Sequence, residues 1–143
     1  MDSSSQKGEG KKKVNEVKTF PVPFALEEIK ETISIATNTP SKEQLINRAF
    51  KCHSQGNIQD AATYYQQFID QGFKDCRVFS NYGLILKDLS NLKEAELSTR
   101  KSIELNPNLF NSHFLLGTIL IGQKKLQEAE QSLRKTIELK PDF

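Results

Sequence analysis

Apolar side chains recur at intervals of three and four residues along most of the chain, a spacing that places them on one face of a helix. In residues 76–109 this pattern runs through one segment, breaks at Ser90 and Asn91, and resumes in a second segment that ends at Asn106 and Pro107. Proline disfavours helical geometry in the residue before it, so the second helix should stop there. The sequence therefore predicts a pair of antiparallel helices joined by a short turn.

The same pattern repeats with a period of 34 residues. Residues 92–109 are identical at 11 of 18 positions to the stretch that begins 34 residues later. A fixed period in this range is typical of stacked supersecondary units. Without gaps, the predicted units are 42–75, 76–109 and 110–143. Small residues recur where neighbouring helices should touch: Ala49, Gly83 and Gly117 in the first helices, and Ala61, Ala95 and Ala129 in the second.

A different composition precedes the repeats. Residues 1–24 are a Ser-, Lys- and Gly-rich tail followed by a proline-containing linker, and they hold too few apolar side chains to offset the entropy of ordering, so we expect a disordered tail. Residues 25–40 are predicted to contain an amphipathic helix with Leu26, Ile29 and Ile33 on one stripe. This helix should dock on the repeats, either as a cap on the first unit or in their groove.

The repeat pattern resembles the tetratricopeptide repeat family. The resemblance rests on the period of 34 and on residues at fixed positions, which are Gly83 and Gly117, Ala61, Ala95 and Ala129, and Pro107 and Pro141. It covers about 70% of the chain and implies an all-α fold, a right-handed α-solenoid of three helical hairpins. The first unit departs from the pattern, because Phe73 replaces the closing proline and Arg48 stands where the later units have Tyr82 and Leu116. We therefore expect an irregular turn and an irregular end in that unit.

The resemblance also implies that the first helix of each unit lines the inner surface of the solenoid. A helical wheel places a mixed set of side chains opposite the packed side of these helices. The predicted groove residues are Asn47, Phe50, Arg77, Asn81, Leu84, Asp88, Asn111, Leu115 and Thr118. Three of them are large and apolar, which is unusual for a solvent-facing surface. They favour either a groove for an extended peptide or a partner helix, or a surface on which these side chains cover each other or the N-terminal helix; both interpretations remain open.

Two binding modes of the resembled family can be compared with this groove. A clamp of lysines, an arginine and asparagines that holds a C-terminal carboxylate is matched here at Asn81, whereas Ile46 and Phe50 stand at other clamp positions, so we do not expect a chaperone-tail ligand. A ladder of one asparagine per unit fits Asn47 and Asn81 but not Leu115. A side-chain amide donates and accepts hydrogen bonds, which suits binding of a peptide backbone.

The net charge, the apolar stretches and the histidine and cysteine positions argue against several classes of function. A net charge of +2 in 143 residues gives no electrostatic case for nucleic acid, and no stretch approaches the roughly 20 apolar residues of a membrane span. His53 and His113, with Cys52 and Cys76, show neither nucleophile–base nor metal-ligand spacing. We therefore expect a cytoplasmic protein that is not an enzyme and has no cofactor or metal, and whose partner is a protein or peptide.

The final helix presents an unusual face. Leu126, Leu133 and Ile137 recur at helical spacing, and no further hairpin follows to cover them. Self-association through this helix and simple tolerance of the exposed face are two explanations; a longer protein is the one that we favour. The main functional hypothesis is thus a protein–protein interaction module. The alternatives are the non-catalytic N-terminal part of a glycosyltransferase-, sulfotransferase- or methyltransferase-type protein, and a self-associating structural spacer.

Overall fold

Helical hairpins make up the part of the chain that the computed structural model describes, residues 38–143, where no strand occurs. The predicted tail and linker, and nearly all of the helix predicted over 25–40, lie outside these residues. The helices are α1 (Lys42–Ser54), α2 (Ile58–Asp70), α3 (Cys76–Asp88), α4 (Leu92–Leu105), α5 (Phe110–Gly122) and α6 (Leu126–Leu139). Consecutive helices pair as α1–α2, α3–α4 and α5–α6, and each pair packs on the next, which confirms the predicted all-α stack of hairpins.

Local side-chain chemistry sets the helix ends. The Ser41 hydroxyl accepts a hydrogen bond from the Gln44 backbone N–H at 3.3 Å, and the Gln44 side chain accepts one from the Ser41 N–H at 3.0 Å. This reciprocal pair is a capping box, whose sequence signal is a serine followed three residues later by a glutamine.

The turn inside each hairpin uses a left-handed backbone at the same position of the repeat. Gly56 has a φ of 78°, and Ser90 and Lys124, which lie 34 and 68 residues later, each have a φ of 62°. A residue with a Cβ adopts this region less readily than glycine, so the two later turns form despite their side chains. The turn of the first unit thus matches the other two, so the expected irregular turn is wrong, and the glycine signal is present in one of three equivalent turns.

The end of the first hairpin differs from the other two. Gly72 closes α2 with a φ of 78°, whereas the equivalent residues Asn106 and Lys140 have extended backbones with φ of −144° and −142°. The first hairpin lacks the closing proline found in the later two, and its glycine allows a left-handed turn instead. The expected irregular end of this unit is therefore present.

Small residues allow the helices of a hairpin to approach closely. A Cβ added to Gly83 would lie 2.5 Å from Thr99 Oγ1 and 3.3 Å from the Ala95 carbonyl oxygen. A Cβ on Gly117 would lie 2.7 Å from Leu133 Cδ2. The alanines predicted to lie at these contacts are buried as well. The repeated glycine and alanine positions are thus contact points between paired helices.

The core changes character along the stack. Around the first hairpin it is a cluster of large side chains that includes the fully buried Tyr65 and Phe68. At the positions equivalent to Phe68, the later hairpins carry Ser102 and Thr136, which are also buried. The Ser102 hydroxyl donates to the Cys76 carbonyl at 2.7 Å and shares a second 2.7 Å hydrogen bond with the Ser112 hydroxyl. Because the single hydroxyl proton of Ser102 is already used, Ser112 must donate in the shared bond.

The hydrogen bond between these two hydroxyls predicts that the effects of removing them on stability are not additive. Ser102→Ala should lower the free energy of unfolding by about 1–2 kcal/mol, since it leaves the buried Ser112 hydroxyl without an acceptor. The double variant Ser102→Ala with Ser112→Ala should cost less than the sum of the single variants, because it removes the orphaned donor. Urea unfolding followed by circular dichroism measures all three variants. Strict additivity would show that the two hydroxyls do not depend on each other.

The second and third hairpins meet through an apolar contact and an ion pair. Leu92 packs on the cluster that contains Leu115 and Ile119. Lys125 Nζ lies 3.0 Å from the Glu96 carboxylate, which also pairs with Arg100 at 2.8 Å. Burial of Glu96 would raise its pKa, but hydrogen bonds from Lys125 and Arg100 outweigh that effect, so the pKa lies below its ordinary value.

Candidate functional site

The first helices of the hairpins, α1, α3 and α5, present the predicted groove residues on a surface that we call the first-helix face. These residues are Asn47, Phe50, Arg77, Asn81, Leu84, Asp88, Asn111, Leu115 and Thr118. Four of them are exposed, namely Asn47, Arg77, Asp88 and Asn111. Four are half-buried, namely Phe50, Asn81, Leu84 and Thr118. Leu115 is buried, with 6% of its surface exposed.

The junction between α1 and α3 brings two of these residues into contact. The guanidinium carbon of Arg77 lies 5.4 Å from the centre of the Phe50 ring, within the range of a cation–π interaction. The same guanidinium forms a two-point hydrogen bond with the Asp75 carboxylate at 2.8 and 3.1 Å. This pairing with Arg77 holds the pKa of Asp75 below its usual value. Arg77 is therefore fixed over an aromatic ring, and its charge is already compensated.

Asn81 belongs to a hydrogen-bonding group centred on Tyr65. The Tyr65 hydroxyl lies 3.1 Å from His53 Nδ1, and the Asn81 side chain is a second partner. Burial raises the pKa of the Tyr65 phenol, while the Asn81 hydrogen bond opposes that rise. Part of the Asn81 amide is thus occupied within the protein. Tyr65 lies on a second helix, and a search of the first helices alone does not find it.

The apolar side chains of the first-helix face are less exposed than the sequence indicates. Leu115 lies in a cluster with Leu86, Ala95 and Ile119, and Leu84 packs against the same cluster. The expected outward orientation of Leu115 is therefore not observed, because its side chain is used to join α5 to the preceding hairpin. Thr118 is half-buried, and its hydroxyl donates to the Leu115 carbonyl of the same helix at 2.8 Å.

Both charged residues of the first-helix face have a partner. Asp88 lies 3.2 Å from Lys87 Nζ, and Arg77 lies 2.8 Å from Asp75. Neighbouring opposite charges largely cancel at distances beyond the pair itself, especially in salt. The face therefore offers amides and apolar groups rather than a net charge.

An aromatic cluster at the N-terminal end of α5 was not among the predicted groove residues. Phe143 packs edge-on against Phe114 at 4.9 Å and Phe110 at 5.6 Å between ring centres. Phe114, Phe143 and the nearby Ile121 are 40%, 59% and 48% exposed. Phe114 and Ile121 share the side of α5 that carries Asn111 and Thr118. Their helical spacing from Asn111 is the sequence signal that could have identified them.

Both histidines form hydrogen bonds within the fold, and both cysteines are half-buried. His113 Nε2 lies 2.7 Å from the Pro107 carbonyl oxygen, and His53 contacts Tyr65. Cys52 and Cys76 are half-buried free thiols, and Cys52 packs against the first core cluster. Within residues 38–143 no three His, Cys, Asp or Glu side chains are grouped so that they could hold a metal ion. In the same range, no helix is long and apolar enough to cross a membrane.

Six helices arranged as three hairpins with one common period define a helical repeat protein. Two tetratricopeptide repeat family models match the sequence, one over residues 77–109 and one over residues 99–131. The chain is a tetratricopeptide repeat protein. Among curated proteins, no significant match was found.

Solved structures with the same fold include several tetratricopeptide repeat domains. The Arabidopsis OM64 domain matches with a TM-score of 0.67 at 16% identity, covering 71% of this chain and 84% of that chain. The first repeat domain of Spaghetti (RPAP3), solved with the HSP90 peptide SRMEEVD, matches with a TM-score of 0.66 at 20% identity, covering 71% and 81%. MamA matches with a TM-score of 0.69 at 19% identity, covering 82% and 68%.

Such repeat domains are in general non-catalytic interaction scaffolds. They also occur inside enzyme chains: the O-GlcNAc transferase of Thermobaculum terrenum matches with a TM-score of 0.65 at 20% identity, over 71% of this chain but 20% of that chain.

Proposed function

We propose that this protein is an interaction module that binds an extended peptide segment of a partner along its first-helix face. The observation that supports this most is the combination of exposed amides at Asn47 and Asn111 with the exposed aromatic cluster of Phe114 and Phe143. Amides can pair with a peptide backbone, and exposed aromatic rings offer anchoring area for an apolar side chain. We propose further that the protein acts in the cytoplasm and has no catalytic activity or nucleic-acid ligand of its own.

The chemistry of the face favours an uncharged, apolar-containing ligand. Two structural neighbours were solved with chaperone peptides, the HSP90 peptide SRMEEVD and a Hsp70 peptide. Capture of an anionic peptide needs cations that are free to pair. Here Arg77 already pairs with Asp75 through two hydrogen bonds. The proposed ligand therefore has an apolar side chain that contacts the Phe114 cluster and a backbone that pairs with the asparagines.

We restrict the proposed asparagine ladder to amides that can still pair with a ligand. Asn47 is exposed, and Asn81 is half-buried beside Tyr65, so Asn81 has less hydrogen-bonding capacity left for a ligand. Asn111 is exposed on α5, four residues before Leu115, the position at which the ladder would continue. We therefore place the amide contacts at Asn47 and Asn111, with Asn81 contributing through its remaining capacity.

A displayed peptide library screened against the full chain tests this proposal. Selected peptides should contain apolar or aromatic residues and no required terminal carboxylate. Calorimetry with one selected peptide should show Phe114→Ala and Asn47→Ala binding about tenfold more weakly, which corresponds to about 1.4 kcal/mol. Leu97→Ala is the control, because Leu97 is 69% exposed on α4, away from the first helices. Equal affinity of all variants, or weakening by Leu97→Ala alone, would contradict the proposed site.

A second candidate function is that of a non-catalytic repeat segment in a longer transferase-type protein. The match to the Thermobaculum terrenum O-GlcNAc transferase, which covers 20% of that chain, supports this candidate. The coding sequence downstream of Phe143 tests it: an open reading frame that continues into a transferase domain would support it, and an immediate stop codon would exclude it.

A further inference from the structure

The outer face of α6 repeats the surface through which α4 binds the next hairpin. Leu126, Glu130 and Ile137 are spaced four and seven residues apart, so they form one stripe on α6, whereas Leu133 packs against Gly117 within its own hairpin. The equivalents of the three stripe residues on α4 are Leu92, Glu96 and Ile103. We call the α6 set the terminal stripe.

The α4 residues show what this surface contacts when it is covered. Leu92 is half-buried, and Gln123 of the next hairpin donates to its carbonyl at 3.1 Å. Ile103 packs against the cluster that contains Leu116 and Leu120 of α5. The same positions on α6 are open, since Leu126 is 65% and Ile137 is 60% exposed. The terminal stripe therefore carries the same three residues through which α4 contacts the next hairpin, without their partner among the described residues.

The opposite end of the stack has different chemistry. The positions equivalent to the buried Val78 and Ile85 of α3 are occupied on α1 by Gln44 and Lys51, and both are exposed. Head-to-tail stacking of two copies would thus place a polar and a cationic side chain against Leu126 and Ile137. The two ends of the stack do not complement each other, which disfavours an open-ended polymer.

The charges on α6 are self-complementary. Glu96 on α4 pairs with Arg100 of its own helix and with Lys125 of the next hairpin, and Glu130 on α6 has the equivalent pair with Arg134 of its own helix at 2.7 Å. The side chains of Glu130 and Arg134 are 63% and 76% exposed. When two antiparallel α6 helices face each other, Leu126 of one lies near Ile137 of the other. Glu130 of each copy then faces the region of Arg134 of the second copy, so opposite charges meet.

We propose that two copies of this chain associate tail to tail through the terminal stripe. The pairing is isologous, so it closes at a dimer and leaves both first-helix faces outside the contact. The inference is independent of the proposed peptide ligand, because it uses α6 and no residue of the first-helix face.

Sedimentation velocity of the full chain over a range of concentrations tests the dimer. The parent protein should reach twice the 16.2 kDa chain mass. Ile137→Glu should sediment as a monomer at every concentration at which the parent is a dimer. Leu97→Glu is the matched control, because it introduces the same charge at an exposed leucine of α4 and should leave the dimer intact. Circular dichroism confirms that each variant is folded.

Exchange of the charges at Glu130 and Arg134 is a more specific test of the dimer. Glu130→Arg and Arg134→Glu should each weaken the dimer about tenfold or more, since each places like charges opposite one another. The double variant with both exchanges should recover the parent association. A monomeric parent at about 1 mM, an open-ended polymer, or no recovery in the double variant would overturn the proposal. Dissociation by Ile29→Glu with no effect of Ile137→Glu would also overturn it, since the contact would then involve the N-terminal segment.

Discussion

Phe68→Ala is expected to lower the free energy of unfolding by about 3–5 kcal/mol. Phe68 is fully buried in the core of the first hairpin, and its ring centre lies 5.4 Å from that of Phe73. Removal of the ring takes away its transfer free energy and leaves a cavity that the surrounding helices fill only in part. Because a domain of this size is stable by about 5–15 kcal/mol, much of the total would be lost.

Phe143→Ala is the matched control for this prediction. Phe143 also contacts two aromatic rings, but it is 59% exposed, so its removal should cost less than about 1 kcal/mol. Urea unfolding monitored by circular dichroism compares the two variants under the same conditions. Similar losses at both positions would show that burial in the first hairpin is not the main source of its stability.

Ala95→Leu should destabilise the protein by about 3 kcal/mol, at the upper end of the cost of overpacking. Ala95 is fully buried in a cluster with Leu86 and Ile119, and its carbonyl oxygen lies within 3.3 Å of a Cβ position on Gly83. Three added carbon atoms cannot enter this contact unless α3 and α4 separate. The expected result is a lower melting temperature with the helical spectrum retained at low temperature.

Lys93→Leu makes the control, because it adds a leucine to an exposed position of the same helix and changes no close contact. It should melt within a few degrees of the parent protein, since exposed substitutions usually change stability by about 0.5 kcal/mol or less. If Ala95→Leu melted at the temperature of Lys93→Leu, the close approach of paired helices would not be required for the fold.

The fold was largely predictable because its determinants are local and repeated. The period of 34, the capping box at Ser41 and the small residues at Gly83 and Gly117 each report a local contact that recurs along the chain. The left-handed turns at Ser90 and Lys124 were harder to predict, since neither residue has the conformational freedom of glycine. There, the packing of the two helices determines the backbone of the turn.

The candidate site was predictable only in part, because exposure depends on the neighbouring hairpin. The helical wheel identifies which side of α5 carries Leu115, but it cannot show that α3 and α4 cover that side chain. The compensation of Arg77 by Asp75 and the hydrogen bond of Asn81 to Tyr65 depend likewise on contacts outside a single helix face. Side-chain partners of this kind have no periodic signal in the sequence.

The difference in buried side chains between the first and last hairpins affects local unfolding. Tyr65 and Phe68 hold the first hairpin, whereas the corresponding positions of the last hairpin are Leu133, which is half-buried, and Thr136. Partial opening that separates only α6 exposes the aliphatic cluster of Leu116, Leu120 and Ala129, while opening of the first hairpin exposes a whole aromatic cluster. Among the three described hairpins of a single chain, the third should therefore open more readily than the first.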